Sequence, residues 1–240
     1  MAMRFLPGLT STDRTAITAF VRDLAASETR AVALFPTCLE RGEREALYRD
    51  LEAIKGLRLP HVHLRSDMGL DELDYLKKRF ATEVFNIHAR GSLYPYGRDP
   101  GSHAVSIYVE NADSLPVAEE LVGLGGLCLD FAHWESARLL GRPGYEGFGA
   151  LAAATPIGCC HISAIRPGVR SAWGGFDHHR FSGLGDLDYV LRYRAFFPRG
   201  WASLELENGL GEQLAAIARL ETLLERAQAG EGSRLAAAPG

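Results

Sequence analysis

Apolar positions along the chain follow two alternating rhythms. In the first they recur at helical spacing: Ile17, Phe20, Val21 and Leu24 line one face behind the cap candidates Ser11 and Thr12. Leu47, Leu51 and Ile54 mark a second helix, and Leu214, Ile217, Leu220 and Leu224 a late one. In the second rhythm, short runs of strand character fall between helices. These are Arg4–Leu6, Ala31–Phe35, Leu59–Leu64, Glu83–His88, Ala104–Glu110, Leu127–Asp130, Ile157–Ile162 and Ala202–Glu207. Strands alternating with helices imply parallel βαβ units, because parallel neighbours need a crossover connection. Eight such runs predict an α/β fold, a single-domain (β/α)8 TIM barrel with its active site at the C-terminal strand ends. The alternative is an open doubly wound sheet. With no repeat or linker, the domain is expected to span 1–228, leaving the Ala- and Gly-rich 229–240 as a flexible tail.

Composition narrows the class. At 47% hydrophobic and 23% charged residues, the chain has the make-up of a soluble globular protein. A formal charge of −4 gives no basic footprint, so nucleic acid is not expected as a partner. Met1-Ala2-Met3-Arg4-Phe5 does not open a secretion signal, and no apolar run is long enough for a membrane span. A cytoplasmic protein without membrane contact is therefore expected. Cys38, Cys128, Cys159 and Cys160 have neither zinc-finger nor disulfide-framework spacing and read as small buried residues. Gly123-Leu124-Gly125-Gly126 precedes a strand, so it is a turn and not a phosphate loop.

The titratable residues carry the chemistry. None of the eight histidines falls within an expected outer helix. His61 and His63 share one face of the third strand, and His88 ends the fourth. Glu110 ends the fifth, Asp130 the sixth, and His161 sits in the seventh. His133 follows Asp130 by three residues, Asp177 and His179 lie in a loop, and Glu205 and Glu207 share a face of the eighth strand. His103 opens the fifth strand at the end away from the site. Carboxylates and imidazoles converging on a barrel axis would repel or stay desolvated without a cation between them. Mixed nitrogen and oxygen donors suit a divalent metal such as zinc or manganese.

In this order the residues resemble the xylose isomerase-like superfamily. It joins sugar and sugar phosphate isomerases and epimerases to the endonuclease IV class of abasic-site nucleases (AP endonuclease family 2). His63, His88 with Gly91-Ser92, Glu110-Asn111, Asp130-Phe131-Ala132-His133, His161, Asp177-His178-His179 and Glu205 match its motifs in sequence order. The resemblance implies a TIM barrel with divalent metal at the mouth. One ion would be held by Glu110, Asp130, His161 and Glu205, as in the isomerases. Up to three would be held when His63, His88, His133, Asp177 and His179 join them, as in the nucleases. Leu64-Arg65-Ser66-Asp67-Met68 lacks the wedge that the nucleases insert into DNA, and the chain is short for that class.

The leading expectation is therefore a metal-dependent isomerase or epimerase of a sugar, sugar phosphate or related hydroxy-carbonyl compound. Glu110 and Glu205 would move the proton while metal polarises the carbonyl. Arg65, Arg90, Arg166 and Arg170 would grip an anionic small-molecule substrate, and Trp173 would pack on its sugar face. The first alternative is a phosphoesterase or endonuclease IV-like phosphodiester hydrolase with two or three metals. The second is a ligand-binding barrel without turnover.

Overall fold

The first strand run is split in two, and the split closes the sheet. The computed structural model describes residues 3–236. In it, β1 (Arg4–Leu6) pairs with β11 (Trp201–Leu204), whereas β2 (Gly8–Thr10) pairs with β3 (Ala31–Phe35). Pro7, which has no N–H to donate, lies at the break, and its carbonyl still accepts from the Ala33 amide at 2.9 Å. A Cβ at Gly8 would lie 1.8 Å from the Leu204 carbonyl oxygen, so only glycine allows this approach. The remaining strands are β4 (Arg58–His63), β5 (Val84–His88), β6 (Ile107–Glu110), β7 (Gly126–Asp130) and β8 (Ile157–Ile162). All pair in parallel, in the order β1-β11-β8-β7-β6-β5-β4-β3-β2. The result is a nearly closed nine-stranded barrel of the TIM type.

Helices α1 (Arg14–Ala26), α2 (Arg41–Glu52), α3 (Leu70–Phe80), α4 (Phe131–Leu139), α5 (Tyr145–Ala154) and α6 (Leu210–Ala236) accompany the barrel. One set of alternating strand residues packs with them: Val32, Leu34, Val62, Phe85 and Ile107 cluster with Leu47, Leu51, Leu73, Leu76 and Phe80. Leu127, Leu129, Cys160, Ile162 and Leu204 do the same with Trp134, Phe148 and Leu220. The other set is left to face the barrel axis, because strand side chains alternate.

Several expectations need correction. The cap of α1 is Asp13, which accepts from the amides of Thr15 and Ala16; Ser11 instead accepts from the Cys38 amide. The fifth strand is shorter than expected, because Gly101–Ser106 after Pro100 winds as a 3-10 turn. His103 lies in that turn, bonded to Asp74 at 2.9 Å. A second 3-10 turn, Ala118–Leu121, links β6 to β7 in place of an α-helix. The last strand stops at Leu204, so Glu205 and Glu207 lie beyond it. His133 is in the first turn of α4, although no histidine was expected on a helix. The segment read as a tail enters α6 as far as Ala236, and 237–240 lie outside the described residues. Among the described residues no helix is long and apolar enough to cross a membrane.

Candidate metal centre

The axis-facing residues at the C-terminal strand ends are ionisable and buried. Glu110 and Asp130 end β6 and β7, His161 is the penultimate residue of β8, and Glu205 directly follows β11, with exposures of 2%, 1%, 0% and 7%. One donor atom from each lies within 4.8 Å of the others. The Nδ1 of His161 is the hub, 3.5 Å from Glu110, 3.8 Å from Asp130 and 3.4 Å from Glu205. His63, His88 and Glu110 form a second group within the same limit, and Glu110 belongs to both. His63 Nε2 approaches Glu110 to 3.0 Å, and the His63 and His88 rings meet edge to face.

Neighbouring residues fix this arrangement. Asn86 on β5 donates to Glu110 Oε2 at 2.6 Å. Asn111 clamps the backbone of Asp130, donating to its carbonyl and accepting from its amide, both at 2.9 Å. Asp130 also caps α4 by accepting from the His133 amide at 2.7 Å, so the turn between strand and helix aims both side chains at the mouth. At the rim, His133 Nδ1 lies 3.4 Å from Asp177 and His179 Nε2 lies 3.9 Å from Glu205. The Trp173 indole N–H donates to Asp177, and its ring packs against His179.

Electrostatics shows what is missing. Burial pushes the Glu110 carboxyl up, but His161 and His63 outweigh it and hold the group well below the usual range. Glu205 is likewise lowered, burial being overcome by His179 and His161. Asp130 is raised to about 6, by burial first and by the charge of Glu110. His133 is raised to about 10, since Asp130 and Asp177 overcome the cost of burial. Burial, with His63 adding to it, lowers His88. Yet both ring nitrogens of His161, and Nδ1 of His179, are buried without a hydrogen-bond partner. A buried polar atom left unpaired costs about 1–3 kcal/mol. A divalent cation among these donors would satisfy those nitrogens and neutralise the carboxylates, so the residues fit a metal.

Other expected site residues divide clearly. Arg65 is already engaged by Glu40 and the Leu39 carbonyl. Arg170 bonds the Gly174 carbonyl and stacks on Phe176. Arg90 and Arg166 make no ion pair among the described residues, and each sits in a loop leaving the mouth. Trp173 is 52% exposed in the hairpin between β9 (Ala164–Ile165) and β10 (Asp177–His178). Away from the cluster, His178 bonds the Val169 carbonyl and Glu207 accepts from Thr12. Asn86 gave no signal in the sequence beyond its alternation with His88. Leu93 and Tyr94, in the loop after β5, are 79% and 70% exposed.

Size alone would look elsewhere. A cleft of about 540 Å³ opens beside Glu135, Asp188 and Arg192. Its carboxylates are paired, Glu135 with Arg138 and Tyr193, Asp188 with Arg219. It offers no unmet chemistry.

A solved structure supplies the comparison. The fold resembles that of SacUVDE. That crystal structure, of a UV damage endonuclease, matches with a TM-score of 0.50 at 13% identity, covering 92% of this chain and 99% of that one. No protein-family model and no curated protein matches the chain. The SacUVDE match corrects the leading expectation: the solved structure that shares this fold is an endonuclease and gives a sugar isomerase no support. It likewise overturns the expectation that excluded nucleic acid as a partner.

Proposed function

We propose that this chain is a divalent-metal-dependent phosphodiester hydrolase that nicks DNA, on the nuclease side of the xylose isomerase-like barrels. The observation that carries the reading is the sharing of Glu110 by two donor groups, His63–His88–Glu110 and Glu110–Asp130–His161–Glu205. Polarising one sugar carbonyl needs only one such group, whereas in-line displacement at phosphorus is served by two ions a few ångströms apart. Zinc or manganese bound there would supply an activated hydroxide and charge stabilisation for the leaving oxygen. Glu110 would serve both groups as a ligand, held in orientation by Asn86. Glu205 and Asp130 complete one half, His63 and His88 the other, and His133, Asp177 and His179 extend the set at the rim. Arg90 and Arg166 receive backbone phosphates from loops on separate strands. Leu93 and Tyr94 enter the base stack, and the exposed face of Trp173 receives an unstacked base.

The test is nicking of supercoiled plasmid, untreated, ultraviolet-irradiated or depurinated, with manganese or zinc present. Relaxed circles should appear, fastest on damaged DNA, and Glu110→Gln should remove them. Folded, metal-loaded protein that relaxes none of the three substrates would end this reading. A preference for depurinated over irradiated plasmid would assign the lesion to the abasic class.

A further inference from the structure

Beneath the mouth, beside an apolar cluster of Leu6, Ala33, Phe35 and Trp201, part of the barrel interior is polar, where such barrels are usually filled by branched apolar side chains. Two residues before the mouth ligands, the axis-facing positions include His61 on β4, Asn86 on β5, Cys128 on β7, Cys159 on β8 and Ser203 on β11, all buried. Donor atoms of His61, Cys128 and His161 lie within 4.8 Å of one another. His161 therefore belongs to this lower group as well as to the mouth. Its Nδ1 faces the three carboxylates. Its Nε2, on the other edge of the ring, is buried without a hydrogen-bond partner.

The tautomer of His61 follows from its neighbours. Asn86 Nδ2 donates to Glu110, so Asn86 Oδ1 is the acceptor for the His61 Nε2–H at 3.0 Å. That leaves the lone pair on His61 Nδ1, which accepts from the Ser203 hydroxyl at 2.7 Å. A metal-ligating histidine commonly donates its second N–H to an oxygen in this way. Cys128 and Cys159 are register partners on adjacent parallel strands. Cys159 also lies against His61.

We propose that His61 Nδ1, Cys128 Sγ and His161 Nε2 form a second cation site of zinc type below the mouth, with Cys159 as the fourth donor and His161 bridging the two levels. Imidazole and thiolate are the donors that zinc takes in four-coordinate sites. Loading the site releases the Cys128 and Cys159 thiol protons and the proton of His161 Nε2, and the Ser203 hydroxyl turns away from His61. The site goes beyond the hydrolase reading and does not depend on which reaction the mouth performs.

Cobalt tests it by spectroscopy. Full-length protein stripped by chelator and reloaded with Co2+ should show a near-ultraviolet thiolate-to-cobalt charge-transfer band, which carboxylate and imidazole donors cannot give. C128S/C159S should lose that band and one bound metal per chain while keeping the visible bands of the mouth; C38S, at the exposed cysteine, should keep everything. Folded, cobalt-saturated wild type without the band overturns the proposal, whether or not C128S/C159S folds. A band that persists in C128S/C159S overturns it too. Nicking without the band sinks this site alone, and the band without nicking sinks only the hydrolase.

Discussion

Two buried polar networks in this barrel differ in completeness. Between α2 and α3, Arg44 is fully buried and grips Glu72 with two bonds of 2.7 and 2.8 Å. Its remaining nitrogen reaches the Leu39 carbonyl at 2.9 Å and Asp67 at 3.2 Å, and the Tyr48 hydroxyl donates to Glu72 at 2.8 Å. Each charge there meets its opposite. At the mouth, three carboxylates surround one imidazole, yet both nitrogens of His161 lack a partner. Burial of charge is common to the two regions, so burial does not distinguish a functional site. Unmet bonding does: the helix network is closed by protein atoms, whereas the mouth leaves buried donors that a cation would satisfy.

This contrast can be broken at either end. The largest effect is expected at Arg44: Arg44→Met strands Glu72 and should cost about 3–5 kcal/mol in urea unfolding, with bound metal per folded chain unchanged. Loss of metal in that variant would join the two networks. Glu110→Gln should lower nicking at least about a hundredfold, or about 2.7 kcal/mol of barrier, and reduce metal content by elemental analysis. Its partner Asn86 acts through orientation. Asn86→Ala should weaken metal binding by about tenfold to a hundredfold in a competitive chelator titration, with excess metal restoring much of the nicking. Unaltered affinity would show that Glu110 needs no support.

The smallest effect is that of pH. Burial holds the Asp130 carboxyl up at about 6, so below that pH the proton occupies a ligand and competes with metal. Affinity measured by calorimetry should therefore weaken as pH falls through about 6 and gain nothing further from this group above it. In metal-free protein the sign runs the other way for His133. Its pKa, raised to about 10 by Asp130 and Asp177, makes its contribution to stability full at or below neutral pH and lost as pH rises through about 10.

Much of the site was legible because chemistry-bearing residues recur at strand ends, and a two-residue period places them on one face. His63, Glu110, Asp130 and His161 needed nothing more. The reaction was not legible, since the same ligands serve one ion or several, and only their spacing shows that Glu110 is shared. Cys128, Cys159 and Cys160 are free and buried as expected, whereas Cys38 is exposed. No short spacing links Cys128 to Cys159, and their pairing exists only through strand register. Arg65 and Arg90 look alike in a sequence, but a structure shows that Glu40 has already claimed one of them.

The amino-acid order by itself determined the alternation of strand and helix, hence a parallel barrel, and the side of each strand on which its histidines and carboxylates stand. Those are local consequences of side-chain period. Which ligands share an ion, which arginines are free and which cysteines meet was decided by tertiary structure, because each depends on distances between segments far apart in the chain. Parallel pairing of β11 with β8 brings Glu205 to His161, and no local rule encodes that contact.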